Sequence, residues 1–326
     1  MTPADRPAGV ALSRPGSPLR ERRIAEVAVL AIMVVWAANF IVVKDALSML
    51  PPVGFTFLRY ALASVALLAI LRSSEGAIRL PRTGAWRILL LGGLGFGVYQ
   101  ILWTVGLTTI PAGDSALLIA ATPVFTAVIA VLIGTDTLSP AKAVGVALSF
   151  AGVVLVIAAG VGIELSGSPV GFALTLGAAI CWATYTAFGA RILRDHSPIV
   201  LTTWATIGGT LVLAPVGLGQ LLAPGVMGPA LADRWASIIF AIAYSGLLAA
   251  AIANVVVFNG IRLLGPTRIT ALQSLIPALA VVLAFTVLSE PIRPGQILGG
   301  AIIVLGVALI RRASRGSLAI GRVARP

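Results

Sequence analysis

Side chains that carry chemistry are scarce in this chain. It has one cysteine, Cys181, and one histidine, His196, and only 10% of its residues are charged. A lone cysteine excludes an intrachain disulfide, and its place in an apolar run leaves a thiolate metal site without partners. His196 sits in the loop RDHSP, the setting of a solvated turn residue. No Asp or Glu lies near the middle of a long apolar run, and no G-x-S-x-G, H-E-x-x-H or phosphate-binding glycine loop is present. A membrane-embedded enzyme would need a nucleophile, a base or metal ligands gathered at one depth. Catalysis is therefore not expected, and no cofactor is called for.

What the chain has in excess is apolar surface. It is 59% hydrophobic with a mean hydropathy of +1.05, whereas a soluble domain carries roughly 25% charged residues. The chain thus reads as a membrane protein, with the lipid bilayer as its surroundings. A net charge of +12 would suggest nucleic acid in a soluble protein, but here the arginines cluster in short segments between apolar runs. No nucleic-acid partner is expected. Ten runs approach the ~20 residues needed to cross a bilayer: 24–46, 51–71, 86–108, 113–133 and 139–159, then 170–193, 198–222, 235–263, 267–288 and 295–310. Unpaired backbone in lipid costs several kcal/mol per group, so these runs are expected to be helices. Residues 1–23 hold four prolines and five arginines and read as a disordered cytoplasmic tail, while 312–326 form a basic tail.

The runs are not independent of one another. Pro111 to Ile157 recurs in pattern at Gly265 to Arg311 with a constant offset of 154, which pairs Pro123 with Pro277, Asp136 with Glu290, Gly145 with Gly299 and Gly152 with Gly306. At an offset of 146, Trp36 falls on Trp182 and Pro52 on Pro198. This predicts a duplicated five-helix unit, residues 24–160 and 169–311. With the N-terminus inside, every Lys and Arg except Lys44, Arg59, Arg234 and Arg293 lies in a tail or an inward loop, so both termini are expected in the cytoplasm. Five is odd, so the second unit enters the membrane inverted. Inverted repeats are typical of secondary transporters, with the substrate near the midplane.

The expected fold is therefore all-α and polytopic, ten helices in two inverted five-helix repeats. The segments VVWAANFIVVK, PPVGFTFLRYALA, LIAATPVFTAVIAVL and GTDTLSPAKAVGVALSFAGVVLV, with AAICWATYTAFGARIL and LQSLIPALAVVLAFTVLSEPIRPGQILGGAIIVLGVAL in the second half, resemble the drug/metabolite transporter superfamily, EamA type. The resemblance covers about Ile24 to Arg312. It implies export or exchange of small metabolites, such as amino acids or drugs, across the cytoplasmic membrane by alternating access. An aqueous channel is the competing reading, which saturable flux would exclude. Exchange, facilitated movement and proton antiport all stay open, because the acids nearest the spans lie at their ends.

Polar and aromatic residues inside the spans are the candidates for a pocket: Trp36 with Asn39, Tyr99 and Gln100 with Trp103, Trp182 with Tyr185, then Asn254 and Gln273. Amides are disfavoured facing lipid, so these face the interior, either to bind a substrate or to bond one another. Aromatic and amide groups without a midplane charge cluster predict a small neutral or zwitterionic substrate, an amino acid or an amphipathic compound. Pro123 and Pro277 are expected to bend their helices by freeing the carbonyls of Ile119 and Gln273. Arg59 lies seven residues beyond Pro52, ~10 Å inside the outer end of its span. It is expected either to snorkel or to form an external latch with Asp114, with Lys44 close enough in depth to join.

Overall fold

The computed structural model describes residues 18–323 except 77, 79, 81–83, 135–136, 162–167, 193–195, 227–232 and 265. Residues 1–17 of the expected tail, Asp136 and most of the link between the two units thus lie outside the described residues. The order is α1 (Pro18–Ala46), α2 (Pro52–Glu75), α3 (Ala85–Gly92), a π-helical segment (Gly93–Val98), α4 (Tyr99–Leu107), α5 (Ala112–Ile119), α6 (Thr122–Leu132), α7 (Pro140–Val161) and α8 (Pro169–Ile192). There follow α9 (Pro198–Leu221), α10 (Trp235–Ala243), a second π segment (Tyr244–Ile252), α11 (Ala253–Leu264), α12 (Pro266–Gln273), α13 (Leu275–Leu288) and α14 (Pro294–Val323). No strand occurs among the described residues. The protein is an all-α polytopic membrane protein: nine described helical stretches are long and apolar enough to cross a bilayer, and Leu275–Leu288 is a shorter apolar helix.

Local chemistry fixes the ends. Pro52 opens α2, where its missing N–H costs nothing, and Gly76 closes it in the left-handed region at φ 72°, its N–H returning to the Arg72 carbonyl. The first N–H groups of α2 are met from another helix, since Gln220 Oε1 accepts from Val53 and Gly54, both at 2.9 Å. The helix α1 begins at Pro18, six residues before the expected span, because proline suits a first turn and Glu21 favours the positive helix start. Of the expected tail 1–23, residues 18–23 belong to α1. Likewise α14 runs on to Val323 through the basic tail, which has no proline before Pro326.

Both prolines expected to bend a helix stand where a helix stops and restarts. Pro123 is the second residue of α6 and Pro277 the third of α13, after breaks at Ala120–Ala121 and at Ser274. The carbonyl of Ile119 that Pro123 cannot use accepts the Thr122 hydroxyl at 2.6 Å instead. Both π segments fall mid-span, Gly93–Val98 between α3 and α4 and Tyr244–Ile252 between α10 and α11, and such widened turns are frequent at functional sites. Outside, Val65, Leu132, Val154, Leu211 and Phe240 are exposed and apolar, the surface that acyl chains cover. Inside, α1, α2, α4, α8 and the second π segment converge.

Candidate functional site

Arg59 is the centre of that convergence. It lies on α2 at 2% exposure, the largest of the fully buried side chains among the described residues. Gly246 makes the site possible: a Cβ there would stand 2.5 Å from the Arg59 carbonyl, so only glycine lets the second π segment lie against α2. The neighbouring Ser245 then reaches the guanidinium, accepting from Nη1 at 2.8 Å and donating to Asn39 Oδ1 at 2.7 Å. Nη2 donates to Gln100 Oε1 at 2.5 Å, and the Gln100 amide donates in turn to the Tyr60 hydroxyl at 2.6 Å. Three rings surround the charge, with the guanidinium carbon 5.0 Å from the Tyr60 centroid, 5.5 Å from Trp103 and 5.7 Å from Phe55.

An aromatic wall continues from there. Trp103 meets Phe40 edge-on at 5.4 Å and lies parallel to Tyr99 at 6.4 Å. Tyr99 reaches Trp182 at 5.4 Å, and Trp182, Tyr185 and Phe96 pack together within 5.1–5.4 Å. Gly95 allows the approach of Tyr185, whose ring would be 2.5 Å from a Cβ at that position. The Trp103 indole donates to Ser115 Oγ at 3.0 Å, which ties the wall to α5. Of the expected pocket residues, Gln100 and Trp103 touch the buried cation, Asn39 reaches it through Ser245, Tyr99 stacks on Trp103, and Trp182 and Tyr185 continue the wall beyond Tyr99. Trp36 lies at the edge, donating to the Ala249 carbonyl of the second π segment at 2.9 Å. Asn254 spends its amide on the Ala250 carbonyl of the second π segment at 2.6 Å, and Gln273 closes α12 without a hydrogen bond to the Arg59 cluster.

The expected Arg59–Asp114 latch is not formed. Asp114, fully buried, accepts from Gln296 Nε2 at 2.5 Å and leaves Oδ2 without a partner, while the hydrogen bonds of Arg59 go to Ser245 and Gln100. Depth is the reason. Arg59 and Gln100 each lie seven residues from a helix end, at Pro52 and Leu107, hence both ~10 Å inside. Asp114 is in the first turn of α5, near the surface, and the two charges pass at different levels.

At that surface, on the face opposite the chain termini, Lys44 is bound by backbone instead of by Asp114. Its Nζ donates to the carbonyls of Leu107 and Ile110 at 2.6 and 2.7 Å, where α4 ends. Glu290 caps α5 by accepting from the N–H groups of Ala112 and Gly113 at 2.9 and 3.2 Å. These two contacts border a polar recess of about 470 Å³ that also takes in Thr108, Ser289 and Arg293. On the terminal face Arg268 pairs with Glu26 at 2.6 Å, Arg22 reaches the Leu263 carbonyl at 3.2 Å, and Ser197 bonds Glu75.

Sequence reasoning missed Ser245, Tyr60, Phe96, Ser115 and Gln296. Serine, tyrosine and phenylalanine are ordinary in an apolar span, and the one available signal was Ser245 preceding a glycine in a span otherwise poor in hydroxyls.

The chain as a whole is similar to known proteins. The EamA-like transporter family matches residues 23–158 and again 169–312. The chain belongs to that family. Among its relatives, a Streptantibioticus cattleyicolor protein named as a probable terminal-alkyne amino-acid exporter is 31% identical over 87% of this chain and 92% of its own. A Salmonella typhimurium protein named as a probable amino-acid metabolite efflux pump is 29% identical over 88% of this chain and 97% of its own. An uncharacterized transporter of Bacillus subtilis is 27% identical over 83% and 88%. A crystal structure 20% identical in sequence shares the fold with a TM-score of 0.60, covering 90% of this chain and 99% of its own.

Proposed function

We propose that this protein is a secondary transporter that exports or exchanges a small neutral or zwitterionic metabolite across the cell membrane by alternating access, with both termini cytoplasmic. The observation that carries the reading is the Arg59 cluster: polar groups from α1, α2, α4 and the second π segment, beside an aromatic wall, ~10 Å from a helix end on each side of the contact. Aromatic surface suits an apolar substrate portion, and the amides orient its polar end. Relatives named for amino acids make an amino acid the first substrate to test and an amphipathic compound the second.

The two five-helix units, 24–160 and 169–311, supply the moving parts in this reading. Recurrence of the helix break at an offset of 154, from Ala120 to Ser274, supports their equivalence. Lys44 holds the outer face closed, and the breaks before Pro123 and Pro277 are the hinges. A metabolite-resolved uptake and efflux screen in proteoliposomes, with and without a proton gradient, tests transport and reveals any exchanged solute or counter-ion. Saturable flux of an amino acid or amphipathic compound is expected. Unsaturable flux would replace the carrier by a channel, and preferential block by multiply charged anions would remove the substrate class. Reporter fusions after Arg312 should read cytoplasmic and those within 160–168 external; both on one side would overturn the topology.

A further inference from the structure

Arg59 is a full positive charge sealed in the protein with no negative charge beside it among the described residues. Its hydrogen-bond partners, Ser245 and Gln100, are neutral, and so are the rings of Phe55, Tyr60 and Trp103 around it. Asn39, one step further through Ser245, is neutral as well. Asp114, the buried carboxylate on the nearby α5, is held by Gln296. Nε has no partner and is buried. A guanidinium stays charged at every accessible pH, so burial cannot be relieved by losing a proton. An ionised side chain inside a membrane protein is almost always paired or lines a substrate path, and here the surrounding side chains supply no pairing group.

We infer that Arg59 is the carboxylate anchor of the transported solute. The inference rests on the transporter reading above and narrows its substrate to molecules bearing one carboxylate on an apolar or aromatic body. The planar guanidinium presents donors in a fork that matches a carboxylate, and the unused Nε–H lies on one edge of that fork. Gln100 and Ser245 hold the group in orientation while the site is empty. Trp103, over the charge and stacked on Tyr99, is buried here and meets the body of the solute once the cluster opens. In the second unit the position equivalent to Arg59 at the offset of 146 is Ala205, so the anchor is single and the solute binds in one orientation.

The test uses acid and amide pairs on the purified full-length chain, read by tryptophan fluorescence, since Trp103 borders the guanidinium. The probes are L-phenylalanine, L-leucine and L-tryptophan, N-acetyl-phenylalanine, which keeps the carboxylate, and phenylalaninamide and leucinamide, which lack it. For the tryptophan probe, thermal shift replaces fluorescence. The acids are expected to bind about tenfold or more tighter than the amides, as a lost charge-assisted hydrogen bond requires. In Arg59→Gln the difference should shrink to within about threefold, and Arg59→Lys should keep part of it.

Equal binding of acids and amides by the wild-type protein overturns the inference whether or not the variants fold. So does undiminished discrimination in folded Arg59→Gln, failure of every carboxylate probe to bind, or a fluorescence change reproduced by sodium chloride alone. Saturable flux in proteoliposomes with no preference for the carboxylate sinks the anchor and leaves the transporter standing. Absence of saturable flux sinks the transporter reading itself.

Discussion

Gly152 and Gly299 lie in mutual backbone contact: a Cβ on Gly152 would stand 2.6 Å from the Gly299 carbonyl, and one on Gly299 2.7 Å from the Gly152 carbonyl. Gly145 and Gly306 repeat the contact two turns away on the same helices, α7 and α14. Since 145 maps to 299 and 152 to 306 at the offset of 154, each pair is the other with the helices exchanged. The α7–α14 seam is thus a self-complementary packing of small residues, the way helices associate where lipid removes the hydrophobic drive.

Substituting Leu at Gly152 or Gly299 is therefore expected to wedge the seam open and cost about 1–3 kcal/mol or more. Thermal melts of detergent-solubilised protein should fall by several degrees and monodisperse yield should drop. Gly219 is the control, because a Cβ there would meet nothing within 4 Å, and its change to Leu should leave the melt unaltered.

The small faces of α7 and α14 were legible from the spacing of four glycines, as were the helices and the neighbourhood of the two proline breaks, but not that those two faces meet each other nor where the π segments fall. Periodicity in sequence registers which face of a helix is small or apolar. The site was legible only in part, because Trp103, Gln100 and Tyr99 advertise themselves in an apolar span whereas Ser245 and Tyr60 do not. Partnership was the hardest to read. Lys44, Arg59 and Asp114 could be placed at rough depths, but whether a cation takes a carboxylate, an amide or a pair of backbone carbonyls depends on which helices touch, and no spacing along the chain encodes it.

The depth difference between Arg59 and Asp114 makes a quantitative forecast. Without a shared partner, the two charges should behave additively in this state: a cycle of Arg59→Gln, Asp114→Asn and the double variant should give a coupling below about 0.5 kcal/mol in thermal or denaturant stability. A coupling well above that would restore the latch, as would rescue of function by exchanging the two residues.

Lys44 carries the corresponding forecast for the face opposite the termini. Its ammonium links α1 to the carbonyls of Leu107 and Ile110, and charged hydrogen bonds are worth about 1.5–3 kcal/mol each. Lys44→Met removes both and should shift the population toward a conformation open at that face. In a Cys181→Ala background, a cysteine at Thr104, a position with no exposed surface here, should be labelled about tenfold faster from that face in Lys44→Met. An unchanged labelling rate would take Lys44 out of the gate.

Gln100→Glu separates binding from folding most sharply. The Gln100 side-chain oxygen already lies 2.5 Å from Arg59 Nη2, and its amide nitrogen donates to the Tyr60 hydroxyl. A glutamate in the same rotamer would keep the first contact as an ion pair and would accept from the Tyr60 hydroxyl, which needs only to turn its hydrogen. The empty protein would then hold a neutralised guanidinium, and removing a buried unpaired charge should raise the melting temperature. The same carboxylate would neutralise the guanidinium and repel the carboxylate that the solute brings to the free Nε edge. Flux of a carboxylate substrate should fall about tenfold or more, so stability and transport move in opposite directions. A merely structural Arg59 predicts otherwise: Gln100→Glu would then stabilise the fold and leave transport intact, and that result would remove the binding role from this cluster.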